Sequence, residues 1–193
     1  MIKPIETYYN GYRFRSRLEA RVAIFLDCLN MKYLYEPEGI EFSDGTMYLP
    51  DFYLPESKTF LEVKGIMADQ DLRKIKMLAK QSDKHVAIIY PDFSFQASDM
   101  WEDGGSITSK GESWLIQCFE CKKYSFMGNG ASWRCRSCGY YDGDSGFIVE
   151  MAGDWTDCQS YTERPHGEVK AAIETAKQAR FEHGEMPITT RRI

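Results

Sequence analysis

The chain has 193 residues, a formal charge of −5 at pH 7, 43% hydrophobic residues and 27% charged residues. These are globular values that exclude wholesale disorder, and a chain of this length buries about 70% of its extended surface, so it needs no disulfides to fold. An acidic chain does not coat nucleic acid through bulk positive charge, no apolar run approaches the roughly 18 residues of a membrane helix, and Met1-Ile2-Lys3-Pro4 opens no signal-peptide core, so a soluble cytoplasmic protein with no membrane partner is expected.

Taken in chain order, Tyr8 to Phe14 is a polar-aromatic entry to a first helix. Ser16 is its N-cap, and Leu18, Val22, Phe25, Leu26 and Leu29 form one apolar stripe. Strand-like runs follow at Tyr33–Tyr35, Ile40–Phe42, Met47–Leu54 and Thr59–Val63, punctuated by Pro37, Asp44-Gly45 and Pro55. The spacing predicts a second helix over 68–82, with Leu72, Ile75, Leu78 and Ala79 inward. Val86–Tyr90 reads as a buried strand ended by Pro91. Helix, strands, helix, strand is an α/β core.

Near Trp101 the texture changes to a Gly- and Ser-rich stretch holding five of the six cysteines. The expected division is a core over 1–100, an inserted module over 101–163, and a last helix within 164–193 that packs back on the core. That helix carries the stripe Val169, Ala172, Ile173 and Ala176 and stops at His183-Gly184.

Cys118-x2-Cys121 and Cys135-x2-Cys138 are two close pairs separated by 13 residues. Two-residue spacing lets both thiolates of one turn reach one ion, and two such turns complete a tetrahedral, closed and therefore structural zinc site. Disulfides are disfavoured in a reducing compartment, and a redox pair needs no second copy. Cys28, inside the first helix, reads as a small core residue. Lys110, Lys122, Lys123, Arg134 and Arg136, interleaved with Trp114, Tyr124 and Trp133, could hold phosphates and stack on bases; equally, the metal could simply support a loop too poor in apolar residues to fold alone.

The segment Tyr48-Leu-Pro-Asp51 to Glu62-Val63-Lys64 carries the chemistry. If Pro55 to Lys58 close a hairpin, Leu54 pairs with Thr59 and the register places Asp51 opposite Glu62, with Cβ atoms about 5 Å apart. Lys64, two residues on, projects from the same face. Two carboxylates and an ammonium on one face suit a hard divalent cation. Asp51 and Glu62 would supply oxygens to Mg²⁺ or Mn²⁺, and Lys64 would orient or help deprotonate an attacking water and offset phosphate charge. The bland alternative is a surface hairpin in which Lys64 neutralises nearby acids.

Pro50-Asp51, ten intervening residues, then Glu62-Val63-Lys64 resembles the PD-(D/E)XK, or restriction-endonuclease-like, nucleases. The resemblance covers roughly residues 11–92 and extends to Glu19 on the preceding helix, where many members carry an acid. It implies a core with a central mixed sheet flanked by helices. Asp51, Glu62 and the backbone carbonyl of Val63 would be metal ligands, Lys64 catalytic, and Glu19 an aid to metal binding or water placement. Ser16-x-x-Glu19 is also a capping box, which needs no catalysis. Arg15, Arg17 and Lys74 are further, weaker candidates for phosphate contact.

These features lead to the expectation of a Mg²⁺-dependent nuclease that hydrolyses phosphodiesters, with DNA the expected substrate, by metal-activated water, with a structural Zn²⁺ in the inserted module and a homodimer as a candidate assembly. The alternative is a catalytically inactive module of the same fold that binds nucleic acid or protein, using its zinc ribbon.

Overall fold

The computed structural model describes residues 4–98, 107–108, 112–128, 134–141, 147–152 and 167–181. The polar-aromatic entry is a two-stranded hairpin, β1 (Thr7–Tyr9) and β2 (Tyr12–Phe14), turned by Asn10 and Gly11. Both turn residues have positive φ, 47° and 83°, which is what a two-residue hairpin loop matched to strand twist requires. Asn-Gly is the strongest short hairpin signal there is, and the alternation around it is too short to stand out from the helix that follows. Helix α1 (Arg17–Cys28) then starts at Ser16, whose side chain accepts from the Glu19 N–H, and its Ala20–Leu26 stretch is buried apart from the flank at Arg21.

A mixed five-stranded sheet forms the centre, in the order β3 (Leu34–Tyr35), β6 (Phe52–Leu54), β7 (Thr59–Val63), β8 (His85–Ile89), β9 (Phe95–Ala97). β6 and β7 are an antiparallel hairpin, β7 and β8 are parallel, and the outer pairings are antiparallel. Helix α2 (Asp69–Gln81) is the crossover that the parallel pair demands. The expected run Met47–Leu54 is divided. β5 (Met47–Tyr48) pairs with β4 (Ile40–Glu41) in a separate small hairpin, and β6 begins only after Pro50. Proline offers no N–H to a ladder, so the chain changes partner there.

Side-chain alternation divides the sheet into two faces. Phe52, Leu54, Leu61, Val63, Ala87 and Ile89 pack with α1, whereas Phe60, Val86 and Ile88 pack with Ile75, Leu78 and Ala79 of α2. Helix α3 (Gly167–Gln178) lies on α1 through Val169, Ala172, Ile173 and Ala176. The expected stop at His183-Gly184 lies outside the described residues.

The cysteine-rich part contains a three-stranded antiparallel sheet, β11 (Tyr124–Gly128), β10 (Ser113–Cys118), β12 (Phe147–Ala152). One of its faces joins the α1 core through Leu115, Tyr124, Phe126 and Met151. Phe126 meets Phe95 edge-on, with ring centroids 5.1 Å apart. β11 approaches β9 so closely that a Cβ on Gly128 would stand 2.6 Å from the Ser98 carbonyl oxygen. The other face, with Ile116, Met127 and Phe147, surrounds Cys118 and Cys135. Among the described residues no helix is long and apolar enough to cross a membrane.

Candidate functional site

The β6–β7 hairpin has the register Leu54↔Thr59, Tyr53↔Phe60, Phe52↔Leu61, which brings Asp51 to the level of Glu62. Both are buried, Glu62 completely and Asp51 to 6% exposure. Their side chains lie on the α2 face, since each is one residue from a partner packed on α1. Lys64 Nζ sits between them, 2.9 Å from Glu62 Oε2 and 3.2 Å from Asp51 Oδ2. Asp51 Oδ2 also accepts the Val63 N–H at 2.8 Å. These contacts account for like charges being tolerated across a buried strand pair: the ammonium and a backbone N–H offset a repulsion that would otherwise be destabilising.

Charge at the site is strongly coupled. Burial and the Asp51 charge push the Glu62 carboxyl well above the usual carboxylate range, against the pull of Lys64 and Tyr48. Burial acts to strip Lys64 of its proton, but Glu62 and Asp51 outweigh it and hold the amine above the ordinary lysine value. Lys64 is therefore an ammonium here, suited to orienting and offsetting charge rather than to taking up a proton.

Three residues outside the expected set complete the surroundings. The Tyr48 hydroxyl donates to Glu62 Oε2 at 2.6 Å, and burial together with the Glu62 charge keeps the phenol protonated. Glu36 accepts from Arg15 Nε at 2.5 Å, while Arg15 Nη2 reaches Asp51 Oδ1 at 3.3 Å. Glu36 also donates its backbone N–H to the Asp51 carbonyl, and it does so in the left-handed region, at φ 44°. Such a conformation costs a non-glycine residue about 1 kcal/mol or more and persists where surroundings enforce it. Tyr35 donates to Glu19 Oε2 at 2.6 Å. Neither Tyr48 nor Glu36 has a periodicity or spacing that ties it to Asp51 and Glu62; only the chain path around Pro50 and Pro37 brings them there.

Glu19 is placed differently from its expected partners. Ser16 Oγ donates to Oε1 at 2.7 Å, and Oε2 accepts from the Tyr35 hydroxyl and from the Arg15 N–H at 3.1 Å. Tyr35 pairs with Phe52 in the sheet and lies in the α1 core, so Glu19 is held on the opposite face from Asp51, Glu62 and Lys64. Ser16 Oγ caps the Glu19 N–H, and the Glu19 carboxylate returns to the Ser16 hydroxyl and the Arg15 N–H, one residue earlier than the N-cap N–H of a standard capping box.

Whether the carboxylate pair fits a divalent cation turns on one atom. Glu62 Oε1 is buried and has no hydrogen-bond partner. A buried carboxylate oxygen without a donor is costly, and a hard cation is what such an oxygen suits. Glu62 Oε1 and Asp51 Oδ1, once free of Arg15, supply two oxygens; backbone carbonyl and water would have to complete the shell.

The four cysteines converge. All their sulfurs lie within 4.8 Å of one another, with Cys118 to Cys138 at 3.9 Å and Cys121 to Cys135 at 3.6 Å. Tetrahedral zinc thiolates place sulfurs about 3.8 Å apart, so the set could hold a metal such as zinc. The Cys138 N–H points at Cys135 Sγ, 3.5 Å away. Burial pushes the Cys135 thiol up, yet this N–H and that of Ser137 bring it below the ordinary thiol value, whereas burial raises its neighbour Cys121. Cys28, by contrast, is exposed at the end of α1 rather than in the core, because it falls on the side of the helix away from the stripe.

The basic residues do not form one surface. Arg136, expected to contact nucleic acid, is turned inward: Nε and Nη2 are buried without partners, and Nη1 lies 3.5 Å from Thr59 Oγ1. The burial of His85 itself, and secondarily the Arg136 charge, depress this neighbouring imidazole to about 3. Tyr124 is likewise buried and not available for stacking on a base. Lys123 is tied to Glu56 at 2.8 Å, Lys122 lies over Phe119, and Arg134 over Tyr141. Lys74 and Arg17 are half-buried on their helices. Lys110 and Trp133 lie outside the described residues.

No protein-family model matches this chain, and no curated protein is significantly similar to it.

Proposed function

We propose that the chain is a divalent-metal-dependent nuclease of the restriction-endonuclease-like type, acting on phosphodiester bonds, with DNA the favoured substrate. The observation that carries this reading is the Lys64 ammonium bridging Asp51 and Glu62 while Glu62 Oε1 remains buried and without a donor.

Asp51, Glu62 and the Val63 carbonyl would hold Mg²⁺ or Mn²⁺, which when bound supplies Lewis acidity toward water and the scissile phosphate. Lys64 donates from a fixed position between the two carboxylates, where it orients a water and offsets phosphate charge. Arg15 is half-exposed and held at the rim by Glu36, so if it lost Asp51 its guanidinium would be free to take a substrate phosphate as an alternative partner. Glu19 contributes by fixing the Arg15 backbone and Tyr35. In this reading the four-cysteine cluster holds structural zinc, and its contacts run to the β6–β7 hairpin, through Lys123 to Glu56 and Arg136 to Thr59.

The test is to incubate the full chain with single-stranded, duplex and branched DNA and with RNA, each with Mg²⁺, Mn²⁺ or EDTA. Metal-dependent cleavage is expected, abolished in both Asp51→Asn and Glu62→Gln. Cleavage that survives in either variant would remove the site from the reaction, and absence of cleavage with every substrate would favour a binding module.

A further inference from the structure

We infer that Tyr48 is a positioning residue for Glu62: its hydroxyl and Lys64 Nζ together occupy Oε2 and leave Oε1 as the oxygen presented to a divalent cation. This deepens the metal-site reading and rests on it.

A glutamate side chain has three rotatable bonds, and its two oxygens are chemically alike, so something must choose which one faces an ion. Two donors converge on the same oxygen here, the Tyr48 hydroxyl at 2.6 Å and the Lys64 ammonium at 2.9 Å. They come from different parts of the fold: Tyr48 from the β4–β5 hairpin and Lys64 from just beyond β7. Two donors approaching one oxygen from separate elements fix the plane of the carboxylate, whereas one donor would leave it free to pivot.

Lys64 cannot do this alone, because its ammonium is shared with Asp51 at 3.2 Å and would follow that group when a cation enters. Tyr48 has no such divided role. Its ring is stacked on Phe42, with centroids 5.7 Å apart and planes at 21°, and it packs against the α2 core. The register Ile40↔Tyr48 holds the backbone beneath it. The hydroxyl is thus delivered by a packed ring on a hydrogen-bonded strand, the rigid support that metal ligands need to keep their geometry before the ion arrives.

The experiment measures Mn²⁺ binding directly, by electron paramagnetic resonance of the free ion, on the full chain with its cysteine centre loaded with zinc. Wild type is expected to bind and Asp51→Asn to bind far more weakly; wild type without Mn²⁺ binding overturns the metal site and the role of Tyr48 with it. Given wild-type binding, Tyr48→Phe should weaken Mn²⁺ affinity about 10- to 100-fold, the usual cost of losing a hydrogen bond to a ligand. Tyr53→Phe, which removes a hydroxyl from the same face without touching Glu62, should leave it unchanged. Unaltered affinity in Tyr48→Phe refutes the proposal while leaving the metal site standing. A second arm separates positioning from general loosening. In Glu62→Asp, where the shortened carboxylate is withdrawn from the hydroxyl, Tyr48→Phe should cost nothing further. An equal further loss in that background means that Tyr48 acts elsewhere, and the proposal fails.

Discussion

Arg15 Nη2 lies 3.3 Å from Asp51 Oδ1, on the one oxygen of that carboxylate that neither Val63 nor Lys64 engages. The guanidinium therefore stands where a cation bound by Asp51 would have to approach, and Glu36 holds it there from the other side.

If the proposed function holds, removing Arg15 should act in opposite directions on a divalent cation and on a nucleic-acid substrate. Arg15→Met should tighten Mn²⁺ binding by about two- to fivefold, the range of a half-exposed ion pair. It should also raise KM for a nucleic-acid substrate about tenfold, as expected for a lost charge-assisted hydrogen bond. Metal titration and steady-state kinetics on the same preparation check both. A loss of metal affinity would show that Arg15 supports the site rather than competing for it.

Glu62 makes stability depend on pH in the direction opposite to most acids. Its carboxyl lies at about 7 in the folded chain, above the ordinary 4.5, because burial and Asp51 disfavour the charge. A raised carboxyl contributes stability that is complete below about 4.5 and is lost as pH rises through about 7. In EDTA, wild type should therefore lose melting temperature relative to Glu62→Gln between pH 5 and pH 7, with no further divergence above. Adding Mn²⁺ at pH 8 should restore stability to wild type only. A difference between the two proteins that stays constant from pH 5 to pH 8 contradicts this account.

Glu19→Gln distinguishes a cap from a metal ligand. Glutamine also serves as the third residue of a capping box and still offers an oxygen to Tyr35. The variant is expected to melt within a few degrees of wild type and to retain cleavage within tenfold. Glu19→Ala, which leaves the buried Tyr35 hydroxyl without its acceptor, should lose about 2 kcal/mol, read by chemical denaturation. Abolition of cleavage in Glu19→Gln, with stability intact, would return Glu19 to the metal site.

Thiol labelling reports on the cysteine cluster. Cys28 is exposed and should react with an alkylating reagent whether or not metal is present. Cys118, Cys121, Cys135 and Cys138 should be protected in the metal-loaded chain and react together after chelation, as counted by peptide mass spectrometry. Chelation should also lower the melting temperature, since Cys118 and Cys135 sit inside the small cluster formed by Ile116, Met127 and Phe147. Four cysteines that label at once without a chelator would mean that the convergence of their sulfurs serves no metal.

Local rules carried much of this molecule into view. Ser16 and the stripe from Val22 to Leu29 mark a helix because capping and amphipathic spacing act within one turn of chain. The turn at Pro55 to Lys58 sets a hairpin register, and that register alone aligns Asp51 with Glu62 and puts Lys64 on their face. The two Cys-x2-Cys knuckles announce a shared site through spacing that any tetrahedral centre imposes. In each case the interacting atoms lie on one element or across one turn, so the order of residues is nearly the geometry.

What lay beyond that reach involves atoms joined only by packing. Tyr48 meets Glu62 because Pro50 breaks the strand between them and sends β5 to pair with β4. Glu36 clamps Arg15 because a left-handed residue at the end of β3 turns the chain toward Asp51. Glu19 faces Tyr35 rather than the other acids because α1 covers the opposite side of the sheet. Arg136, charged and flanked by the clustered Cys135 and Cys138, folds inward against Thr59, where no composition or charge count would have put it. Periodicity says which side of an element is apolar, but which elements share a face is settled by burial of the whole core, and the direction of each polar side chain follows from that.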